Sequence, residues 1–270
     1  MCNIIASSEY EQLLEEAKRL QADLSALIME RDELKHHVCK DLQMDYMLKL
    51  GTLEYKVFEL QCKILRIKRK IELIQMHFNR QEIVNIIEIE CQLDVEYAQY
   101  QEQLNEKIDE INAALERNGM TQLSPDEVRE IRKLYNQIVK KLHPDMNLNV
   151  TERELKLFSK AVEAYKNADL ETLRSIAIMI SEISDYDETT DSMNELKEKI
   201  AKLKQLITVV SNEIEKIKQS FPYNQKDLLS NPAKIEERKN ELHEILEEYK
   251  EIYAIYEQKL NDMLGGNANG

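Results

Sequence analysis

Leu53, Val57, Leu60, Ile64, Ile67, Ile71, Ile74 and Phe78 follow one another at strictly alternating intervals of four and three residues. On an α-helix that spacing keeps one apolar stripe turned toward a neighbouring helix. A strand, with its period of two, would scatter the same residues over both faces. The chain is therefore held to helices that each bury a stripe against another helix. The rhythm also runs through Leu13, Ala17, Leu20, Leu24, Leu27, Leu34 and Val38, with Arg31 interrupting it, and resumes from Leu93 through Tyr97, Leu104 and Ile111 to Leu115. Two further stripes lie near the C-terminus, from Met193 through Leu203 and Val210 to Phe221, and from Ile235 through Leu242 and Tyr249 to Met263. Five Gly and four Pro in 270 residues, with 33% charged, fit long helices and leave little material for sheets and turns.

The breaks between stripes divide the chain. Gly51-Thr52 reads as a hinge or restart, Asn85 with Glu88 as a helix start of capping-box character, and Asn118-Gly119 as a C-terminal stop. Residues 1–119 are thus expected to form about three coiled-coil helices, followed by a distinct segment over 120–184. Residues 185–192 read as an acidic linker ending in a Ser192/Glu195 capping box. Phe221-Pro222-Tyr223 closes the next helix and Asn231-Pro232 opens the last, so residues 193–264 are expected to form an antiparallel hairpin with a flexible tail at 265–270.

A formal charge of −14 argues against general affinity for nucleic acid or anionic lipid, because phosphate binding is driven by Lys and Arg contacts. No apolar run approaches membrane-spanning length and the N-terminus carries no leader pattern, so a soluble cytoplasmic protein is expected. Cys2, Cys39, Cys62 and Cys91 are single and widely spaced, which suggests neither a disulfide framework nor a thiolate metal site. No cofactor and no metal are expected.

Against this acidic background the middle segment stands out. Ser124-Pro125-Asp126-Glu127 is a capping box with Pro at the first helical position, predicting a helix to about Leu142. Val128, Ile131, Leu134, Tyr135, Ile138, Val139 and Leu142 fall on one side of it. Arg129, Arg132, Lys133 and Lys140 fall on a separate solvent stripe, and with Lys141 they set five basic residues against the single acid Glu130. The helix must stop at His143-Pro144-Asp145, because proline disfavours helical backbone at the residue before it. Thr151 and Glu154 cap a second helix, whose Leu155, Phe158, Ala161, Val162 and Tyr165 are spaced to fold back on the first.

The run Ile131 to Asp145, Ile-Arg-Lys-Leu-Tyr-Asn-Gln-Ile-Val-Lys-Lys-Leu-His-Pro-Asp, resembles helix II and the signature loop of the DnaJ-like J-domain family. Phe158 with Glu163-Ala164-Tyr165 resembles helix III of that family, and the likeness covers residues 123–176. The resemblance implies an all-α fold in which a J-domain-like hairpin is flanked by long antiparallel coiled-coil helices. It implies core positions at Leu134, Tyr135, Ile138, Phe158, Val162 and Tyr165. It also implies a non-enzymatic co-chaperone that stimulates ATP hydrolysis by a DnaK-type heat-shock chaperone. His143, Pro144 and Asp145 would act on the chaperone, and Arg129, Arg132, Lys133, Lys140 and Lys141 would dock on it. No Tyr-Tyr-x-x-Leu-Gly-Val helix precedes the segment, Asn136 and Gln137 stand where the family is basic, and neither a Gly/Phe-rich linker nor zinc-binding repeats follow. Those departures suggest a specialised member.

Other readings stay open beside this one. The coiled-coil arms would bind a client or a second copy of the chain; alternatively the whole chain is a structural scaffold whose hairpin has lost chaperone contact. His143-Pro144-Asp145 is otherwise a plain helix-terminating turn, expected in either case to be exposed. Lys63, Arg66, Lys68, Arg69 and Lys70 read as a solvated coiled-coil face and not as a nucleic-acid patch. His36-His37 with Cys39 reads as surface, since a metal needs more ligands than these.

Overall fold

The structure, a computed structural model, describes residues 2–120, 123–147, 150–181 and 193–265. Among them every regular element is helical: α1 (Cys2–Glu33), α2 (Cys39–Tyr46), α3 (Thr52–Asn79), α4 (Ile86–Glu96), α5 (Ala98–Gly119), α6 (Pro125–Leu142), α7 (Glu152–Lys166), α8 (Leu170–Ser181), α9 (Met193–Gln219), α10 (Lys226–Leu229) and α11 (Pro232–Gly265). Single π-helical turns, Leu34–Val38 and Met47–Gly51, join α1 to α2 and α2 to α3. The 185–192 linker with its Ser192 cap, and tail residues 266–270, lie outside the described residues. No helix among the described residues is long and apolar enough to cross a membrane. The elements divide into two compact units, residues 1–41 with 121–224, and residues 42–120 with 225–270.

In the first unit α1 packs along α9. Lys197 donates to Glu9 (3.0 Å), Lys204 pairs with Glu16 (2.7 Å) and Lys218 donates to Glu30 (2.8 Å). The offset never changes, so the two helices run parallel. Leu24, Ile28, Leu203, Val210 and Ile214 are buried along the seam. Near its C-terminal end α1 also meets α6, which packs with α7 and α8 into a three-helix cluster sharing one core with the seam.

The second unit repeats the device. Leu50, Leu53 and Val57 pack with Ile235 and Leu242, while Leu73 and Ile74 pack with Leu260 and Met263 further along, so α3 and α11 are parallel as well. The stripes expected to close on each other as an antiparallel 193–264 hairpin are therefore each buried against a different, N-terminal helix. A heptad stripe defines a seam but neither its partner nor its direction. In the first unit the flanking charges agree with the parallel register: Glu9, Glu16 and Glu30 recur in multiples of seven, as do Lys197, Lys204 and Lys218.

Gly51, expected as a hinge, keeps helical dihedrals (φ −54°, ψ −43°) and is buried. A Cβ there would sit 3.0 Å from Met47 Sδ and 3.4 Å from Ile111 Cγ1, so its role is close packing of α5. The basic cluster of α3 is spent inside this unit. Arg66 donates to Glu90 and to Asp94 (2.8 Å), Arg69 to Glu96 (2.9 Å), Lys70 to Glu90 and Lys63 to Glu59, and Lys68 lies over the Tyr256 ring. Those pairings seat α4 antiparallel on α3, with Asn85 accepting from Glu88 N–H at its cap.

Candidate functional site

The site is built on the α6–α7 hairpin. Both helix starts carry complete capping boxes: Ser124 accepts from Glu127 N–H while Glu127 accepts from Ser124 N–H, and Thr151 and Glu154 do the same. Each box satisfies backbone donors that a helix start otherwise leaves to water. The rings of Tyr135 and Tyr165 stack 3.9 Å apart at 8°, and His143 meets Phe158 edge-on at 5.1 Å, so the helices run antiparallel. Tyr135, Ile138 and Tyr165 are buried; Leu134, Phe158 and Val162 are half-buried against the same core.

At the tip His143 takes extended backbone (φ −66°, ψ 127°), the conformation that Pro144 imposes on its predecessor. The loop folds back at once. Met146 and Asn147 N–H both donate to the His143 carbonyl, and Asp145 N–H donates to His143 Nδ1 at 3.1 Å, which leaves the ring proton on Nε2. Asn147 Nδ2 donates to the carbonyls of Lys140 and Lys141, closing the end of α6. The expectation of an exposed histidine is corrected here: His143 is only 6% exposed, whereas Pro144 is exposed and Asp145 half-exposed. The cause is the turn itself, which tucks the imidazole against Phe158. Burial pushes the His143 pKa below its ordinary value, with Asp145 opposing.

Arg129, Arg132, Lys133 and Lys140 are exposed on the outer face of α6, but they are not equivalent. Arg129 is bonded to Asp126 within its own helix, and Arg132 reaches Glu33 of α1. Lys133 and Lys140 have no ion-pair partner among the described residues. Lys141 turns to the other side, half-buried, with Nζ 3.5 Å from the Ile180 carbonyl of α8.

The sequence reading missed what holds the hairpin in place. Tyr135 donates its hydroxyl to Asp32 Oδ2 (2.8 Å), and Tyr165 donates to Glu33. Burial, reinforced by those neighbouring carboxylates, pushes both phenol pKa values up, so both remain donors. Asp32 is 4% exposed and gripped by Arg31 at 2.8 Å, which answers the cost of burying its charge. His37 adds an edge-on contact to Tyr165 at 4.7 Å. The only hint was Arg31 breaking the α1 stripe, since a charge at a seam position requires a polar partner in the core.

Among the described residues no group of three or more His, Cys, Asp or Glu side chains is placed to hold a metal ion. Cys39, Cys62 and Cys91 are free thiols. No protein-family model matches the chain, and neither a curated protein nor a solved structure matches it.

Proposed function

We propose that this chain is a J-domain co-chaperone, which raises ATP hydrolysis by a DnaK-type chaperone through the His143-Pro144-Asp145 turn and makes or breaks no covalent bond itself. The observation that carries the proposal is a turn, closed by Asn147 and with His143 set edge-on to Phe158, that displays Pro144 and Asp145 at the end of a helix whose outer face carries the exposed Lys133 and Lys140. Such an effector acts by binding one chaperone state better than another, and it needs a fixed surface to do so. The lysines supply attraction to an acidic chaperone surface, and the parallel helix pairs supply surfaces for a client or a second copy.

Steady-state ATP hydrolysis by a DnaK-type chaperone is expected to rise when the full chain is added. Asp145→Asn is expected to abolish the rise without moving the melting temperature, because the side chain is half-exposed and outside the core. Lys133→Glu with Lys140→Glu should weaken binding far more at low salt than near 1 M, where the Debye length is about 3 Å. A chain that stimulates nothing, or an Asp145→Asn variant as active as the parent, overturns the proposal.

A second reading, a coiled-coil scaffold or adaptor without chaperone contact, is favoured by one observation. Two of the basic residues, Arg129 and Arg132, are already committed to partners within the chain. Absence of stimulation with an intact fold would select it.

A further inference from the structure

Where Arg31 interrupts the α1 stripe, a groove of about 560 Å³ lies between α1, α7 and α9. Its apolar lining is Phe158, Val162 and Ile217, all half-buried. The two acids in it, Asp32 and Glu213, are both engaged by Arg31, at 2.8 Å and 3.4 Å. Lys35 on the α1 side and Lys216 on the α9 side are exposed and have no ion-pair partner among the described residues. Three cations, Arg31, Lys35 and Lys216, thus face two carboxylates, so the groove combines an apolar lining with a net positive charge of one, in a chain of net charge −14.

We infer that this groove binds an acidic peptide segment of a protein partner, an apolar side chain lying on Phe158, Val162 and Ile217 and flanking carboxylates reaching Lys35 and Lys216. Charge complementarity selects an acidic segment over a basic one. A nucleic acid fits less well, because polyanion affinity rests on many Lys and Arg contacts to phosphate, whereas this groove offers two free lysines and an apolar lining. Two of the three walls, α1 and α9, lie outside the 123–176 stretch that resembles a J-domain, so that resemblance assigns the groove nothing. Because Phe158 also braces His143, an occupant would lie one side chain from the functional turn. The inference stands without the chaperone reading.

Fluorescence anisotropy of a labelled decapeptide alternating Asp and Leu, titrated with the full chain, tests it. The parent is expected to bind saturably, and a counterpart alternating Lys and Leu is not. Lys35→Glu with Lys216→Glu is expected to weaken the acidic peptide by roughly tenfold or more, since each change replaces attraction with repulsion. Both lysines are exposed, so circular dichroism and melting of the variant should match the parent. Val162→Ala provides a second variant that trims the apolar lining and should weaken the acidic peptide while the circular dichroism spectrum stays that of the parent. No saturable binding by the parent, equal binding by parent and folded charge-reversed chain, or displacement of the peptide by oligothymidylate as efficient as by unlabelled peptide would each overturn the inference.

Discussion

Tyr135 and His143 show how much a single side chain can carry in this fold. Tyr135→Phe removes the donor to a carboxylate that is 4% exposed, leaving Asp32 to Arg31 alone. A loss of about 1 to 2 kcal/mol in denaturant unfolding is expected, the usual cost of stripping a partner from a buried polar group. His143 predicts a pH response. Its pKa is near 6.5 in the unfolded chain and lower when folded, because burial penalises the imidazolium. Between those two values the unfolded chain binds more protons, so stability falls as pH drops through that window and is fully present above it. Unfolding midpoints measured at about pH 7.5 and 5.5 should show the decline, and His143→Gln should show a shallower one with a lower midpoint at the higher pH. His143→Gln therefore confounds stability with function, and Asp145→Asn is the cleaner functional variant.

At the scale of elements, seams and caps divide the labour. Several helix starts were readable from spacing alone, since Ser124/Glu127, Thr151/Glu154 and Asn85 all cap as their neighbours require, whereas Asp169, which accepts from Thr172 N–H at the start of α8, was not read. Seam positions were readable too, since Ile64, Ile67, Ile71 and Ile74 are all buried. Pairing was not read, although the charges that flank the α1–α9 seam stand at multiples of seven residues. Charge reversal tests that account. Glu9→Lys with Glu16→Lys should lower the melting temperature by confronting Lys197 and Lys204 with like charges, and adding Lys197→Glu with Lys204→Glu should restore it. Exposed pairs contribute about 0 to 1 kcal/mol each, so the test is the recovery in the quadruple variant and not the size of the first loss. If the second pair of changes lowers stability further, α1 and α9 are not in parallel register.

The whole molecule is organised by contacts between segments far apart in sequence. The hairpin core includes Leu24 and Ile28, and its two tyrosines are held by Asp32 and Glu33, 103 and 132 residues upstream. Residues 120–184 expressed alone should therefore lack part of their core and expose an unpaired tyrosine pair. Such a fragment is expected to show lower helicity per residue and no cooperative melt by circular dichroism, whereas the full chain is expected to melt cooperatively. A fragment that melts as a folded domain would mean that α1 decorates the hairpin without supporting it.

Local signals decided helix content, several helix ends and the position of the turn, because caps, proline and heptad spacing act between residues a few positions apart; the break between α4 and α5 at Tyr97, inside an unbroken stripe, was not among them. The same locality concealed the rest. Nothing within one turn of Arg31 indicates that Asp32 will meet Tyr135, that His143 will be buried against Phe158, or that Lys35 and Lys216 will face one groove. An apolar stripe accepts any apolar stripe, since the hydrophobic effect is non-directional. Which helices pair, in which direction, and which polar groups must then find each other in the core is decided only when the distant segments pack.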